Sequence, residues 1–198
     1  MKILIPLFLV FLAISCKKEE SSSQESTDDF YRYMENVNKK ITQNKPFFDF
    51  DEVIHYEFPI SSQEYEDLIL ADTLPEKSKL LSIIFHNACP VTQEEKIKFK
   101  EALEAVDKEE STIKPKWHDE LNSVFSEKKC DDMRVNSCAP IYRDIFIFKK
   151  NKKEIGMAKI CFECQLFSIS NKEAITDCFN QNGELSRLKK IISENKIN

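Results

Sequence analysis

Cysteine supplies the most reactive side chains of this 198-residue sequence, which contains seven of them. One of these, Cys16, directly follows an apolar segment at the N-terminus. The other six are Cys89, Cys130, Cys138, Cys161, Cys164 and Cys178. Disulfides form and persist in exported proteins, so an even number of cysteines in such a protein predicts bridges, here three. The sequence alone leaves the pairing of these six disulfide candidates open.

Cys161 and Cys164 form a C-x-x-C motif inside a segment that is predicted to be a strand. In an extended strand, residues i and i+3 lie roughly 10 Å apart, whereas a disulfide requires Cα atoms within about 7 Å. An unbroken strand therefore prevents these two cysteines from pairing with each other, and each needs a different partner. Cys130 and Cys138, on either side of a polar loop, are the nearest candidates. A strand break at Glu163 would remove this constraint.

Two alternatives to structural disulfides remain for the motif, apart from free thiols. It resembles the active site of thioredoxin-like proteins, in which a helix N-terminus lowers the pKa of the first thiol. Residues 165–170 alternate like a strand, however, which favours the structural role. The second alternative is a four-thiolate zinc site. Its four ligands would be Cys130, Cys138, Cys161 and Cys164, although the first two are farther apart in sequence than the usual spacing of about two to four residues.

Other kinds of site are excluded by composition. The only two glycines are Gly156 and Gly183, so the sequence has no dinucleotide-binding fingerprint, Walker A loop or nucleophile elbow. The net charge of −5 argues against a general nucleic-acid binder. None of His55, His86 and His118 has a second histidine at metal-binding spacing. We therefore assign no catalytic residue, metal or cofactor, and the sequence does not indicate an enzyme.

The N-terminus has the features of an export signal. Lys2 precedes an apolar run over residues 3–14, which is long enough for a signal peptide and too short to span a membrane. The run ends in Ala13-Ile14-Ser15-Cys16, which resembles the lipobox of bacterial lipoproteins, with alanine in place of the more common leucine. The resemblance implies removal of residues 1–15 and acylation of Cys16, which makes a lipid anchor the predicted membrane attachment.

The residues after Cys16 predict the location and the domain organisation. Lys17-Lys18-Glu19-Glu20 resembles the surface-export signal of some Gram-negative lipoproteins, which implies an outer-membrane protein at the cell surface. A periplasm-facing position is the alternative. No apolar residue occurs over 17–29, so residues 16–29 are interpreted as the acylated cysteine with a flexible tether. Residues 30–198 are interpreted as a single globular domain.

The pattern of apolar residues predicts an α+β domain with a mostly helical N-terminal part. Helices are predicted over 29–41, after capping boxes at Ser61 and Thr92, and after Pro115. Residues 80–85 fit either a helix or a strand, and the helix is slightly favoured. Strands are predicted over 54–58, over 141–148 and, as one strand or two, over 155–169, with a turn at Asn151 and a final helix over 184–194. His55 is placed on the polar face of the first strand.

A second resemblance connects the strands to the cysteines. The segment from Cys138-Ala-Pro-Ile-Tyr to Ile160-Cys161-Phe162-Glu163-Cys164 resembles a pattern in Gram-negative lipoproteins, in which a strand ends in Ile-Cys-Phe-x-Cys. This resemblance implies a disulfide-rich antiparallel hairpin in which these cysteines form one structural unit, and it implies no activity. The predicted function is a membrane-tethered cell-envelope lipoprotein, a disulfide-stabilised binding or structural module for an unidentified protein or small-molecule ligand. The alternative is an extracytoplasmic thiol-disulfide oxidoreductase that uses the C-x-x-C motif.

Overall fold

The structure is a computed structural model that describes residues 21–70, 76–86, 88–131 and 136–197. The predicted signal peptide, residues 1–15, lies outside the described residues, as does the predicted lipidation site Cys16. Within the described residues, no helix has both the length and the apolar character needed to cross a membrane.

The first helix is longer than predicted. Helix α1 spans Ser21–Lys40, so the second half of the predicted flexible tether is helical. A physical reason is that this range contains no glycine or proline, the two residue types that disfavour a helix interior most strongly. The chain divides within this helix into two units, Met1–Tyr33 and Met34–Asn198. The strands and the later helices all belong to the second unit.

The second unit combines helices and strands. Its described strands are β1 (Glu52–Glu57), β2 (Glu109–Thr112), β3 (Asp144–Lys150), β4 (Lys153–Cys161) and β5 (Leu166–Ile169). Its described helices are α2 (Ser62–Ile69), α3 (Glu76–Phe85), α4 (Gln93–Ala105), α5 (His118–Val124) and α6 (Glu184–Ile197), with a 3₁₀ turn over Pro115–Trp117. This confirms the predicted α+β class.

The five strands form one antiparallel sheet in the order β2-β1-β3-β4-β5. The hairpin between β3 and β4 turns at Asn151 and Lys152, whose φ angles are 51° and 64°. These left-handed conformations suit a tight hairpin turn, in which asparagine often replaces glycine. The turn predicted at Asn151 is therefore confirmed.

Both faces of the sheet are covered. On one face, Phe146 and Phe148 of β3 belong to a core that includes residues of α5 and α6. On the other face, Ile145 and Ile147 belong to a core that includes residues of α2, α3 and α4. The continuous apolar run of β3 is explained by this position, because a central strand between two helical layers has no polar face.

The capping boxes begin the helices where the sequence predicts. At α2, the Glu64 N–H donates to Ser61 Oγ at 3.1 Å, and the Ser61 N–H donates to Glu64 Oε2 at 2.8 Å. At α4, the Glu95 N–H donates to Thr92 Oγ1 at 3.2 Å, and the Thr92 N–H donates to Glu95 Oε2 at 2.9 Å. Each box satisfies backbone donors that the first helical turn leaves without an intrahelical partner.

Three elements resolve or correct the sequence predictions. Residues 80–85 are helical and complete α3, as slightly favoured. The segment over 155–169 forms two strands, because a turn over residues 162–165 separates β4 from β5. Strand β2 was not predicted, since its sequence Glu-Glu-Ser-Thr has no large apolar residue. It is a strand because it pairs with β1 at the edge of the sheet.

Substituting Gly156 with alanine is expected to lower the free energy of unfolding by about 1–3 kcal/mol. Gly156 pairs with Phe148 next to a register shift, where a glycine in a strand indicates close packing. An added Cβ would lie 2.8 Å from Phe48 Cδ1 and 3.0 Å from Ser170 Oγ. The Phe48 ring cannot easily withdraw, because it stacks on Phe148 at 4.3 Å. Urea denaturation measures the loss.

A double-mutant cycle identifies the cause of this loss. With Phe48→Leu as the background, Gly156→Ala should be less destabilising, because the smaller side chain leaves room for the new methyl group. An equal loss in both backgrounds would show that crowding against the Phe48 ring is not responsible.

Candidate functional site

The structure pairs four of the six disulfide candidates. The bridges join Cys130 to Cys178 and Cys138 to Cys164, with Cα–Cα distances of 5.5 Å and 5.7 Å. Cys89 and Cys161 are buried free thiols. The expectation of three bridges is therefore wrong for the described structure, which contains two. Each free thiol lies in a different segment, Cys89 between α3 and α4 and Cys161 at the end of β4.

The Cys130–Cys178 bridge is buried near the end of α1. Both of its cysteines are buried, at 5% and 1% exposure. The Asn38 side chain donates from Nδ2 to the Cys130 carbonyl at 2.7 Å and accepts from the Cys130 N–H at 3.2 Å. Phe179, next to Cys178, stacks on Phe125 at 5.5 Å. The bridge thus joins the chain after α5 to the chain before α6, and the Asn38 side chain connects α1 to it.

The C-x-x-C motif lies at a turn. Strand β4 ends at Cys161, and residues 162–165 form the turn that precedes β5. Cys161 and Cys164 do not bond to each other, as predicted, although the turn removes the unbroken strand on which that prediction was conditional. Of the two predicted partners, Cys138 does bond to Cys164. Cys130 does not bond to Cys161, because it is bridged elsewhere.

Each of the two alternatives for the cysteines relies on a feature that the described residues do not supply. The motif opens no helix, so the helix dipole that lowers the thiol pKa in thioredoxin-like active sites is not supplied here. The four thiolates of the zinc alternative are not assembled either. Cys130 and Cys138 belong to two different disulfides, and a bridged sulfur has no thiolate to offer a metal.

Cys89 is held by strand β5 next to a small cavity. Its N–H donates to Ser168 Oγ at 2.8 Å, and its thiol donates to the Ser168 carbonyl at 3.2 Å. Burial raises the pKa of the Cys89 thiol, which keeps it protonated at neutral pH. The cavity, about 350 Å³, is lined by Ile83, Ala88, Cys89, Val91, Lys98 and Phe99, among others. A protonated, hydrogen-bonded thiol is a weak nucleophile, so this geometry favours a structural Cys89.

Lys159 is a buried ionisable residue on β4, between β3 and β5. Its side chain is fully buried on β4, and Nζ lies 5.5 Å from the centre of the Phe99 ring and 5.1 Å from that of Tyr142. Burial lowers the pKa of Lys159 from 10.5 to about 8. The Lys159 amine therefore loses its proton only slightly above neutral pH, unlike a lysine at the surface. Sequence patterning did not identify Lys159, because the sequence does not distinguish a buried lysine from an exposed one.

The sequence also did not predict a cluster of ionisable residues around His55. The prediction that His55 lies on a polar face is wrong, because its side chain is 1% exposed and its Nε2 lies 2.9 Å from Asp144 Oδ1. Glu57 pairs with Asp144 across β1 and β3, and one ligand atom from each of the three residues lies within 4.8 Å of the others. Such a set is capable of holding a metal ion. Lys196 already supplies a cation, with Nζ 2.7 Å from Glu57 Oε2, so we describe the cluster as an ion-paired network.

A groove of about 500 Å³ lies between α4 and the sheet. Its apolar lining includes Phe99, Ile147 and Met157, and its charged lining includes Lys96 and Glu154. Partial desolvation raises the pKa of the Glu154 carboxyl, although the residue is exposed. Apolar side chains combined with a few charges are typical of a site that orients a ligand with an apolar body and a polar end.

No family model, curated protein or solved structure matches the chain. Function is therefore inferred from three features, namely the N-terminal sequence, the state of the cysteines and the groove beside α4. The cysteines provide the strongest of the three, because their pairing depends on the redox conditions of the compartment.

Proposed function

We propose that the protein is a lipid-anchored, disulfide-stabilised binding or structural module of the bacterial cell envelope, at the surface of the outer membrane. The observation that carries the proposal is the presence of two disulfides in the folded unit. Cytosolic reductants keep thiols reduced, whereas exported proteins retain such bridges. Two disulfides therefore support the export that the N-terminal sequence predicts.

Acylation of Cys16 is the proposed means of attachment. Each buried methylene of an acyl chain contributes about 0.8 kcal/mol, and stable anchoring needs more than one chain. A diacylated cysteine at the start of the mature protein meets that requirement without a membrane-spanning helix. The Lys17-Lys18-Glu19-Glu20 segment supports a position at the cell surface.

The groove beside α4 is the proposed ligand site. Its apolar and charged residues suit a peptide or small molecule that has an apolar part and a charged end. The groove lies in the disulfide-containing unit, whose two bridges restrict the unfolded chain and so stabilise the surface that the groove belongs to.

Cys16→Ser is expected to move the full chain from the membrane fraction to the soluble fraction, when both proteins are expressed in a Gram-negative host. Mass spectrometry of the wild-type N-terminal peptide should begin at Cys16 and carry the mass of its acyl chains. Ser15→Ala is the matched control, because alanine is also a small residue and should preserve processing. An unmodified Cys16, or a wild-type protein that stays soluble, would contradict the proposal.

A further inference from the structure

Three cysteines converge at the end of β4, and they differ in state and exposure. Cys138 and Cys164 form a disulfide, in which Cys164 is buried at 9% exposure and Cys138 lies at the surface. Cys161 is a free thiol at 2% exposure. The Cys164 N–H donates to Cys161 Sγ at 3.4 Å, so the free sulfur lies against the backbone of a bridged cysteine.

The turn makes a second pairing possible without movement of the sheet. Cys161 is the last residue of β4, and the chain reverses over residues 162–165. The Cys164 N–H donates to Cys161 Sγ at 3.4 Å, which places the two cysteines next to each other. The Cys161 and Cys164 sulfurs can therefore meet by side-chain rotation, whereas an extended C-x-x-C segment would keep them apart.

We propose that this cluster is a thiol-disulfide exchange site, in which the bridge moves between Cys138–Cys164 and Cys161–Cys164. The Cys161 thiol gives up its proton as its sulfur attacks Cys164 Sγ. The Cys161–Cys164 bond forms as the Cys138–Cys164 bond breaks, and Cys138 leaves as a thiolate that takes up a proton. The number of disulfides is unchanged, so the step needs neither an oxidant nor a reductant.

The exchange transfers a reactive thiol from the interior to the surface. Before the step the free thiol is Cys161, which is buried, and afterwards it is Cys138, which is exposed. An exposed thiol can form a mixed disulfide with an external disulfide, which buried Cys161 cannot reach. The chemical class of partner is a small disulfide or a protein disulfide that is accessible outside the cytosol. The inference goes beyond the proposed function and does not depend on acylation of Cys16.

Labelling of the native protein with excess maleimide, followed by peptide mapping without reduction, tests the exchange. We expect the label on Cys138, at least tenfold above Cys161, together with a new Cys161–Cys164 bridge. Label on Cys161 in place of Cys138, or an intact Cys138–Cys164 bridge after prolonged incubation, would overturn the proposal.

Two variants separate exchange from simple exposure. Cys161→Ser removes the attacking sulfur, so Cys138 should stay bridged and labelling of Cys138 should fall at least tenfold. Cys138→Ser removes the leaving sulfur, so Cys161 and Cys164 should form a bridged pair when the variant is oxidised with glutathione disulfide. Unbridged Cys161 and Cys164 in the second variant would contradict the geometry on which the step relies. Cys89→Ser is the control, since its thiol lies outside the cluster and its loss should leave the labelling of Cys138 unchanged.

Discussion

Replacing both Cys130 and Cys178 with alanine is expected to lower the free energy of unfolding by about 4 kcal/mol. The bridge spans 48 residues of sequence, and a disulfide that closes a longer loop removes more entropy from the unfolded chain. This is the longer of the two closed loops, since the Cys138–Cys164 bridge spans 26 residues. The same bridge also holds the Asn38 contacts to Cys130 in place.

Guanidinium denaturation of the wild type and the double variant, both unreduced, measures this loss. Cys89→Ala is the matched control, because it truncates a buried cysteine that forms no bridge. We expect the control to lose about 1 kcal/mol, which is typical of a point substitution. A double variant that loses no more than the control would show that the bridge does not stabilise the fold.

Replacing Lys159 with methionine is expected to raise the free energy of unfolding at pH 7 by about 3 kcal/mol. The lysine pKa is lowered from 10.5 to about 8, and each pKa unit corresponds to about 1.4 kcal/mol. Methionine has a similar length and carries no charge to desolvate, so the contacts with Phe99 and Tyr142 are kept as apolar packing. Replacing a buried charge by an apolar side chain of similar volume is often stabilising.

The pH dependence distinguishes removal of a charge from better packing. Between about pH 8 and 10.5 the unfolded chain binds the Lys159 proton while the folded chain releases it, so wild-type stability from this group rises with pH. Below pH 8 both states are protonated, and the folded state bears the whole desolvation penalty. The advantage of the methionine variant should therefore be largest at pH 7 and fall to less than half at pH 9.5.

Urea denaturation at both pH values measures this difference. Lys153→Met, on an exposed position of the same strand, is the matched control and should change stability by less than about 0.5 kcal/mol at either pH. An advantage of Lys159→Met that does not change between pH 7 and 9.5 would show that ionisation of Lys159 is not its cause.

Local signals made much of the fold predictable. The boxes at Ser61 and Thr92 begin their helices because each combines a side-chain acceptor with a glutamate three residues later. The apolar run of β3 identified a strand that is covered on both faces. Strand β2 gave no such signal, because its four residues form a strand only through their pairing with β1.

The cysteines and His55 show why the site was harder to predict. In the C-x-x-C motif, Cys161 is free and Cys164 is bridged at the turn over residues 162–165. The alternation on both sides of that turn is typical of a continuous strand, so the turn was not predicted. His55 alternates with apolar neighbours, which is typical of a solvent-facing position. It is buried because its ring points to a face of the sheet that helices cover, where it stacks on Phe146 at 4.6 Å, and the sequence of β1 alone carries no information about that cover.

The two edges of the sheet determine how copies of the protein behave when they are crowded. An open edge strand can recruit a strand from another chain and start aggregation. Here β2 presents Glu109 and Glu110, whose like charges would meet across such a contact. On β5, the Phe167 carbonyl accepts a hydrogen bond from the Tyr142 hydroxyl at 3.4 Å. Growth of the sheet into a polymer is therefore disfavoured at both ends.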